Sequence, residues 1–177
     1  PDVPVLLGTW GARTIAACRD QVDEIKLGGS ANPAVVDWLR AIIDRATIGI
    51  ALGAVTVVAE DGQAARDLAR REVALYLPVV AELDPTVSLD PELVAGLKTA
   101  VQTYDFPRAA SYISDDLLAR FAFAGTPDDI IAQTDAIFAA GADRVEFGTP
   151  HGLSAQAGLE LLGKKVLPYV TRPAAKT

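Results

Sequence analysis

Apolar residues along this chain keep two alternating rhythms. Short runs at residues 3–7, 24–27, 48–58 and 144–147 are dense in Val, Ile, Leu and Phe, and each reads as a strand. Each run ends in a glycine-containing turn that leads into a stretch of helical spacing. The turns are Leu7-Gly8-Thr9-Trp10-Gly11, Leu27-Gly28-Gly29-Ser30, Val58-Ala59-Glu60-Asp61-Gly62 and Phe147-Gly148-Thr149-Pro150-His151-Gly152. Repetition of strand, turn and helix predicts an α/β fold of parallel βα units, in which ligands gather at the carboxyl ends of the strands. Four such units amount to half of a (β/α)8 barrel.

The helical stretches carry their own signals. Residues 12–22 place Ile15, Ala16, Cys18 and Val22 near one face. Asn32-Pro33 reads as a cap followed by a first-turn proline, and opens a helix through residue 45 with Val35, Val36, Leu39, Ile42 and Ile43 on its apolar side. Asp61-Gly62 leads into a long helix, residues 63–82, that Pro78 should kink because proline lacks the amide donor. Residues 84–120 break the rhythm and read as a helical insertion, with starts at Asp90-Pro91 and Ser114-Asp115. Thr126-Pro127-Asp128-Asp129 has the form of a capped helix start, and that helix should end at Gly141. Residues 155–170 close the chain helically. No linker divides it, so residues 1–177 are expected to form a single domain.

Composition narrows the function classes. Sixteen Lys and Arg against 23 Asp and Glu leave the 177-residue chain a net charge of −7, which disfavours nucleic acid and anionic membrane as partners and suits a cytoplasmic protein. No run of about 18 uncharged apolar residues occurs. Residues 46–59 come nearest and are interrupted by Thr47, Gly49 and Thr56. Pro1-Asp2 is not followed by a cationic segment, so no secretory signal is expected. A single cysteine, Cys18, and a single histidine, His151, exclude an internal disulfide and make a Cys- or His-based metal centre improbable. Cys18 reads as a buried structural thiol.

Four places carry candidate chemistry. The turn Gly8-Thr9-Trp10-Gly11-Ala12 permits close backbone approach and is followed by free helix-start amides, a combination that suits phosphate; a plain strand-to-helix turn is the other reading. The Gly28-Gly29-Ser30 turn, two glycines and a hydroxyl, has the same two readings. Trp10 either lines a ring pocket or packs on a neighbouring loop, whereas Trp38 lies among core positions. His151 sits on the last turn, as a proton carrier or, more simply, a structural hydrogen-bonding group. Glu146 faces the barrel interior with Arg144 two residues earlier on the same strand face, which reads as an ion pair. Asp61, Asp115, Asp116, Asp128 and Asp129 read as helix-start acids, and Arg66, Arg70 and Arg71 as a solvated helix face.

Several segments in order resemble the luciferase-like flavin and deazaflavin oxidoreductase superfamily, in its methylenetetrahydromethanopterin reductase-like branch. Residues 4–11 (Pro-Val-Leu-Leu-Gly-Thr-Trp-Gly) are similar to that family's strand-five segment, and residues 23–33 (Asp-Glu-Ile-Lys-Leu-Gly-Gly-Ser-Ala-Asn-Pro) to its strand six and following loop. Residues 123–129 (Phe-Ala-Gly-Thr-Pro-Asp-Asp) resemble its entry to a late helix, and residues 144–152 (Arg-Val-Glu-Phe-Gly-Thr-Pro-His-Gly) its strand eight and closing loop. The resemblance covers nearly the whole chain but only the C-terminal half of the family's barrel. It implies an oxidoreductase transferring a hydride between coenzyme F420 and an organic substrate. FMN is the alternative cofactor, in a luciferase-like monooxygenase. It also implies that Gly8, Thr9, Gly11 and Ala12 hold the coenzyme's phosphate, with Gly28, Gly29 and Ser30 as the adjacent half of one anion cradle.

A different class of function is a non-catalytic half-barrel that binds a phosphate-bearing ligand or assembles with a second half. Either way, four units leave strand edges and an apolar interior uncovered. The missing N-terminal half, a second chain or a homo-oligomer is expected to cover them.

Overall fold

In the computed structural model, which describes residues 3–45 and 47–171, the four predicted apolar runs become strands of one parallel sheet. The chain runs β1 (Leu6–Gly8), α1 (Ala12–Cys18), β2 (Glu24–Gly28), α2 (Ala34–Ile43), β3 (Gly49–Val58), α3 (Gly62–Ala74), α4 (Leu77–Leu83), α5 (Pro91–Gln102), α6 (Phe106–Ser111), α7 (Asp115–Phe121), β4 (Ala122–Gly125), α8 (Pro127–Ala139), β5 (Arg144–Gly152) and α9 (Ala155–Leu161). A π-type turn over Leu162–Val166 continues α9.

The ten-residue β3 is the hub of the sheet. β2 pairs with its first half, from Glu24↔Gly49 to Gly28↔Gly53, and β4 with its second half, from Val55↔Ala122 to Val58↔Gly125. β5 pairs with residues on both halves, so it must occupy the opposite edge. β1 extends the sheet beyond β2. On one face, Ile25, Leu27, Ile50 and Leu52 are buried with Ile15, Val35, Leu39 and Ile43 of α1 and α2, and with Ile130 and Ile137 of α8. A second cluster joins Ala65, Ala69, Val73 and Leu77 of α3 and α4 to Leu97, Leu118 and Phe121 of the helices that follow, and reaches the sheet at Val57. Among the described residues no helix is long and apolar enough to cross a membrane.

The structure departs from the sequence-based expectations where local signals were thin. A fifth strand, β4, exists at residues read only as a helix entry. It has four residues and no β-branched side chain, and pairing with β3 decides its conformation. β5 runs on to Gly152 through what read as a loop. Its pairing shifts between Val55↔Gly148 and Val57↔His151, so Thr149-Pro150 lies in a bulge, where a proline without an amide donor is tolerated. The single kinked helix expected at 63–82 is two helices. α3 stops at Ala74 and α4 begins at Leu77, which puts Pro78 in a first turn that needs no donor. α1 ends at Cys18 rather than residue 22 and buries only Ile15, so Ala16 is exposed and Cys18 half-buried. α2 ends at Ile43, closed by Asp44 in the left-handed region (φ 50°).

The Arg66, Arg70 and Arg71 face is only partly solvated. Arg70, its side chain 15% exposed, donates from Nε to the Ile113 carbonyl (2.9 Å) and pairs with Asp67 and Asp115, because α6 and α7 fold back over α3. Arg66 pairs with Asp129 at 3.4 Å. Asp129 also completes the capping box of α8: Thr126 N–H donates to Asp129 Oδ2 (2.9 Å), and Asp129 N–H donates to Thr126 Oγ1 (3.3 Å).

α9 packs on β5 backbone to backbone. A Cβ placed on Gly158 would lie 2.3 Å from the His151 carbonyl oxygen, a contact no side-chain rotation relieves. Gly158→Ala is therefore expected to destabilise the protein by about 1–3 kcal/mol, as overpacking generally does, read as a lower urea midpoint at unchanged slope. Arg70→Ala, which strands the Ile113 carbonyl, should cost about 1–3 kcal/mol in the same assay.

Candidate functional site

The β1–α1 and β2–α2 turns leave neighbouring parallel strands at the same carboxyl-end rim, and three contacts join them. Thr9 N–H donates to the Lys26 carbonyl (3.2 Å). The Trp10 indole Nε1–H donates to the Gly28 carbonyl (3.0 Å), and its ring stacks on Trp38 with centroids 6.4 Å apart. Trp10 thus packs between the two turns. Trp38 is only partly buried, and it packs against the core beneath them.

Although adjacent, the turns differ in what they can offer a ligand. In the first, Gly8, Gly11 and Ala12 are exposed and Thr9 is half-buried. Thr9 Oγ1 accepts from Gly11 N–H (3.1 Å), and no side chain caps α1, so its first-turn amides have no side-chain acceptor. In the second, Gly29 N–H and Ser30 N–H both donate to the Gly53 carbonyl, at 2.6 and 3.1 Å. Ser30 is fully buried, and its Oγ accepts from Asn32 N–H (3.2 Å). Only Gly28 of this turn is exposed.

Beneath Ser30 runs a buried polar network. Asn32 Nδ2 donates to Asp84 Oδ2 (3.2 Å) and to Thr86 Oγ1 (2.7 Å), and Thr86 N–H donates to Asp84 Oδ1 (2.8 Å). Asn32 and Asp84 are 4% and 2% exposed, so each hydrogen bond is costly to lose. The network ties the second turn to the segment leading into α5.

Below the rim, the face of the sheet turned away from α1 and α2 carries charge. Arg144 pairs with Glu24 (2.6 Å) and with Glu146 Oε1 (3.0 Å), and Glu146 pairs with Lys26. The expected Arg144–Glu146 pair is thus one link in a four-member ladder, and on this part of the face the apolar interior expected from sequence gives way to ion pairs. The ladder crosses β3 because β3 offers only Gly49, Ala51 and Gly53 there. A Cβ on Gly53 would lie 3.1 Å from Lys26 Cε and 3.3 Å from Glu146 Cβ. Lys26, Gly28, Gly53, Val55, Tyr76 and Glu146 line a cleft of about 440 Å³. Burial, outweighing a smaller lowering from the Val55 backbone, pushes the Tyr76 hydroxyl well above its ordinary value. It stays protonated and donates to the Phe121 carbonyl (2.6 Å).

His151 lies in β5 with φ 75°, its Nε2 3.1 Å from the Phe147 carbonyl oxygen, an arrangement that serves the bulge. Asp61 caps α3 (to Gln63 and Ala64 N–H), Ser114 caps α7 ahead of Asp115 and Asp116, and Asp128 lies in the first turn of α8. Among the described residues no group of three or more His, Cys, Asp or Glu is placed to hold a metal ion. Lys26 was not singled out in the sequence, although the alternation Glu24-Ile25-Lys26-Leu27 puts both charges on one strand face. Asp84, 52 residues from Asn32, gave no signal.

A Cβ on Gly8 or on Gly28 would meet nothing within 4 Å, so side-chain-free room exists at the rim beside the uncapped start of α1, and the first turn fits a phosphate-bearing tail.

No protein-family model matches the chain. A 5,10-methylenetetrahydromethanopterin reductase of Archaeoglobus fulgidus is 26% identical over 183 residues, covering 94% of this chain and 54% of that protein. The coenzyme F420-dependent tetrahydromethanopterin reductase of Methanopyrus kandleri superposes with a TM-score of 0.83 at 21% identity, over 96% of this chain and 52% of that one. An F420-dependent secondary alcohol dehydrogenase, solved with an F420-acetone adduct, gives 0.64 at 17% identity, over 97% and 50%. The oxygenating constituent of a Pseudomonas putida diketocamphane monooxygenase, solved with FMN, gives 0.57 at 14%, over 98% and 50%. The chain spans about half the length of these proteins. In sequence it is a relative of methylenetetrahydromethanopterin reductases, and in fold it matches about half of the luciferase-like barrel built by F420-dependent oxidoreductases.

Proposed function

We propose that this chain is one half, the C-terminal one, of a coenzyme F420-dependent oxidoreductase that moves a hydride to or from an organic substrate. The observation that carries the proposal is the meeting of two glycine turns on neighbouring strand ends, with open room at Gly8 and Gly28 and no side chain capping the start of α1. The relatives that use F420 point to the coenzyme.

When bound, the deazaflavin ring supplies the hydride chemistry. The chain's task is to hold it. Gly8, Gly11 and Ala12 would approach the tail phosphate through backbone, with Thr9 bracing the turn from its side chain. Gly28 would border the tail, while Gly29 and Ser30 act from behind, keeping that turn fixed to the Gly53 carbonyl. Trp10 holds the two turns at one spacing.

FMN also carries a phosphate tail, and one structural neighbour binds FMN, so an FMN-dependent monooxygenase is the second reading. The half length of the chain equally supports a binding half that acts only with a partner half.

Fluorescence titration of the full-length protein separates these readings. F420 should bind at least about tenfold more tightly than a deazaflavin lacking the phosphate tail, since charge-assisted hydrogen bonds are worth about 1.5–3 kcal/mol, and more tightly than FMN, whose phosphate the same turn would hold but whose ring differs. Gly8→Leu should erase the advantage of F420 over the tail-less ring while leaving the melting temperature unchanged, because the new side chain enters open space. Tighter FMN binding selects the monooxygenase. If F420 and the tail-less ring bind equally well to the unaltered protein, the phosphate grip is wrong.

A further inference from the structure

We infer that Lys26 and Glu146 form a recognition site for the lactam edge, O=C–N–H, of a fused nitrogen heterocycle lying in the cleft against Gly28 and Gly53. The inference rests on the hydride-transfer reading and assigns these two residues a task beyond sheet cohesion.

Both side chains line the cleft and are about a third exposed, 31% for Lys26 and 32% for Glu146. An ammonium has three N–H donors, and Lys26 directs one to Glu146. A carboxylate offers about four lone-pair directions. Glu146 receives Lys26 on Oε2 and Arg144 on Oε1, so each oxygen keeps an accepting direction. The pair therefore presents a donor beside an acceptor.

Charge decides the ligand class. The ladder of Glu24, Lys26, Arg144 and Glu146 sums to zero, so an anion gains little there. The flanking walls are glycine backbone at Gly28 and Gly53, with Val55, Val80 and the Tyr76 ring. A flat neutral ring fits such walls, and a lactam edge meets a donor–acceptor pair with two hydrogen bonds. The cleft of about 440 Å³ lies within the ~300–1,000 Å³ typical of small-molecule sites. Two rings carry this edge, the deazaflavin itself and a reduced pterin substrate.

The test uses the full-length protein and two probes, a tail-less deazaflavin and a tetrahydropterin, with melting temperature recorded throughout. Lys26→Met and Glu146→Gln should each weaken one of the probes by about tenfold or more. The probe that loses affinity identifies which ring sits on the pair. The double exchange Lys26→Glu with Glu146→Lys keeps an ion pair but reverses donor and acceptor. It also replaces the Arg144–Glu146 attraction by a like-charge contact, so its melting temperature is read alongside, and it should not restore the affinity. Single variants that bind both probes within twofold of the unaltered protein overturn the inference, as does a double exchange that restores affinity together with stability. So does failure of the unaltered protein to bind either ring. Because the probes carry no phosphate, these outcomes are independent of the Gly8→Leu result.

Discussion

Bulk is missing from one face of the central strand, and much of the rest is built around that gap. Gly49, Ala51 and Gly53 of β3 give side chains from β2 and β5 room to meet over the strand between them. Glu24, Lys26, Arg144 and Glu146 use it to form an inter-strand ladder that a β-branched residue in β3 would obstruct. On the opposite face the same strand contributes Ile50 and Leu52 to a dry core beneath the helices. β3 thereby separates an apolar outside from a charged inside within one ten-residue segment, the alternation that a strand's period of two allows.

The charged inside bears on what this sheet shows to water. An apolar interior open to water would be costly, whereas ion pairs at a third exposure are hydrated and cost little. Part of the exposed apolar surface lies at and before the short edge strand β1, where Val3, Val5 and Leu6 are 77%, 48% and 41% exposed. Relatives twice this length have further chain to place beside such an edge.

At the rim, the two glycine turns look alike in sequence and are unlike in structure. One leads into a helix start that no side chain caps. The other turns two amides inward onto Gly53 and anchors its serine through Asn32 to Asp84 and Thr86, at the entry to the inserted helices. A turn so tightly held suits a fixed wall, and the more open turn suits the gripping element. That division of labour is the physical core of the proposed coenzyme site.

The parallel βα order, the strand positions and the caps at Asp61, Asp90, Ser114 and Thr126 were legible in the sequence, because each rests on periodicity or on a side chain meeting its own backbone a few residues away. So was the adjacency of the two glycine turns, once parallel order was granted. The strand character of Ala122–Gly125, the extension of β5 through Thr149-Pro150, the folding of Arg70 against Ile113 and the Asn32–Asp84 network were not. Each is decided by a partner tens of residues distant, and local propensity there is neutral or points elsewhere. The same holds for the site: residue types at Gly8 and Gly28 announced room for a close backbone approach, but that the Gly29 and Ser30 amides turn to the Gly53 carbonyl was decided only when β3 came to lie beside β2.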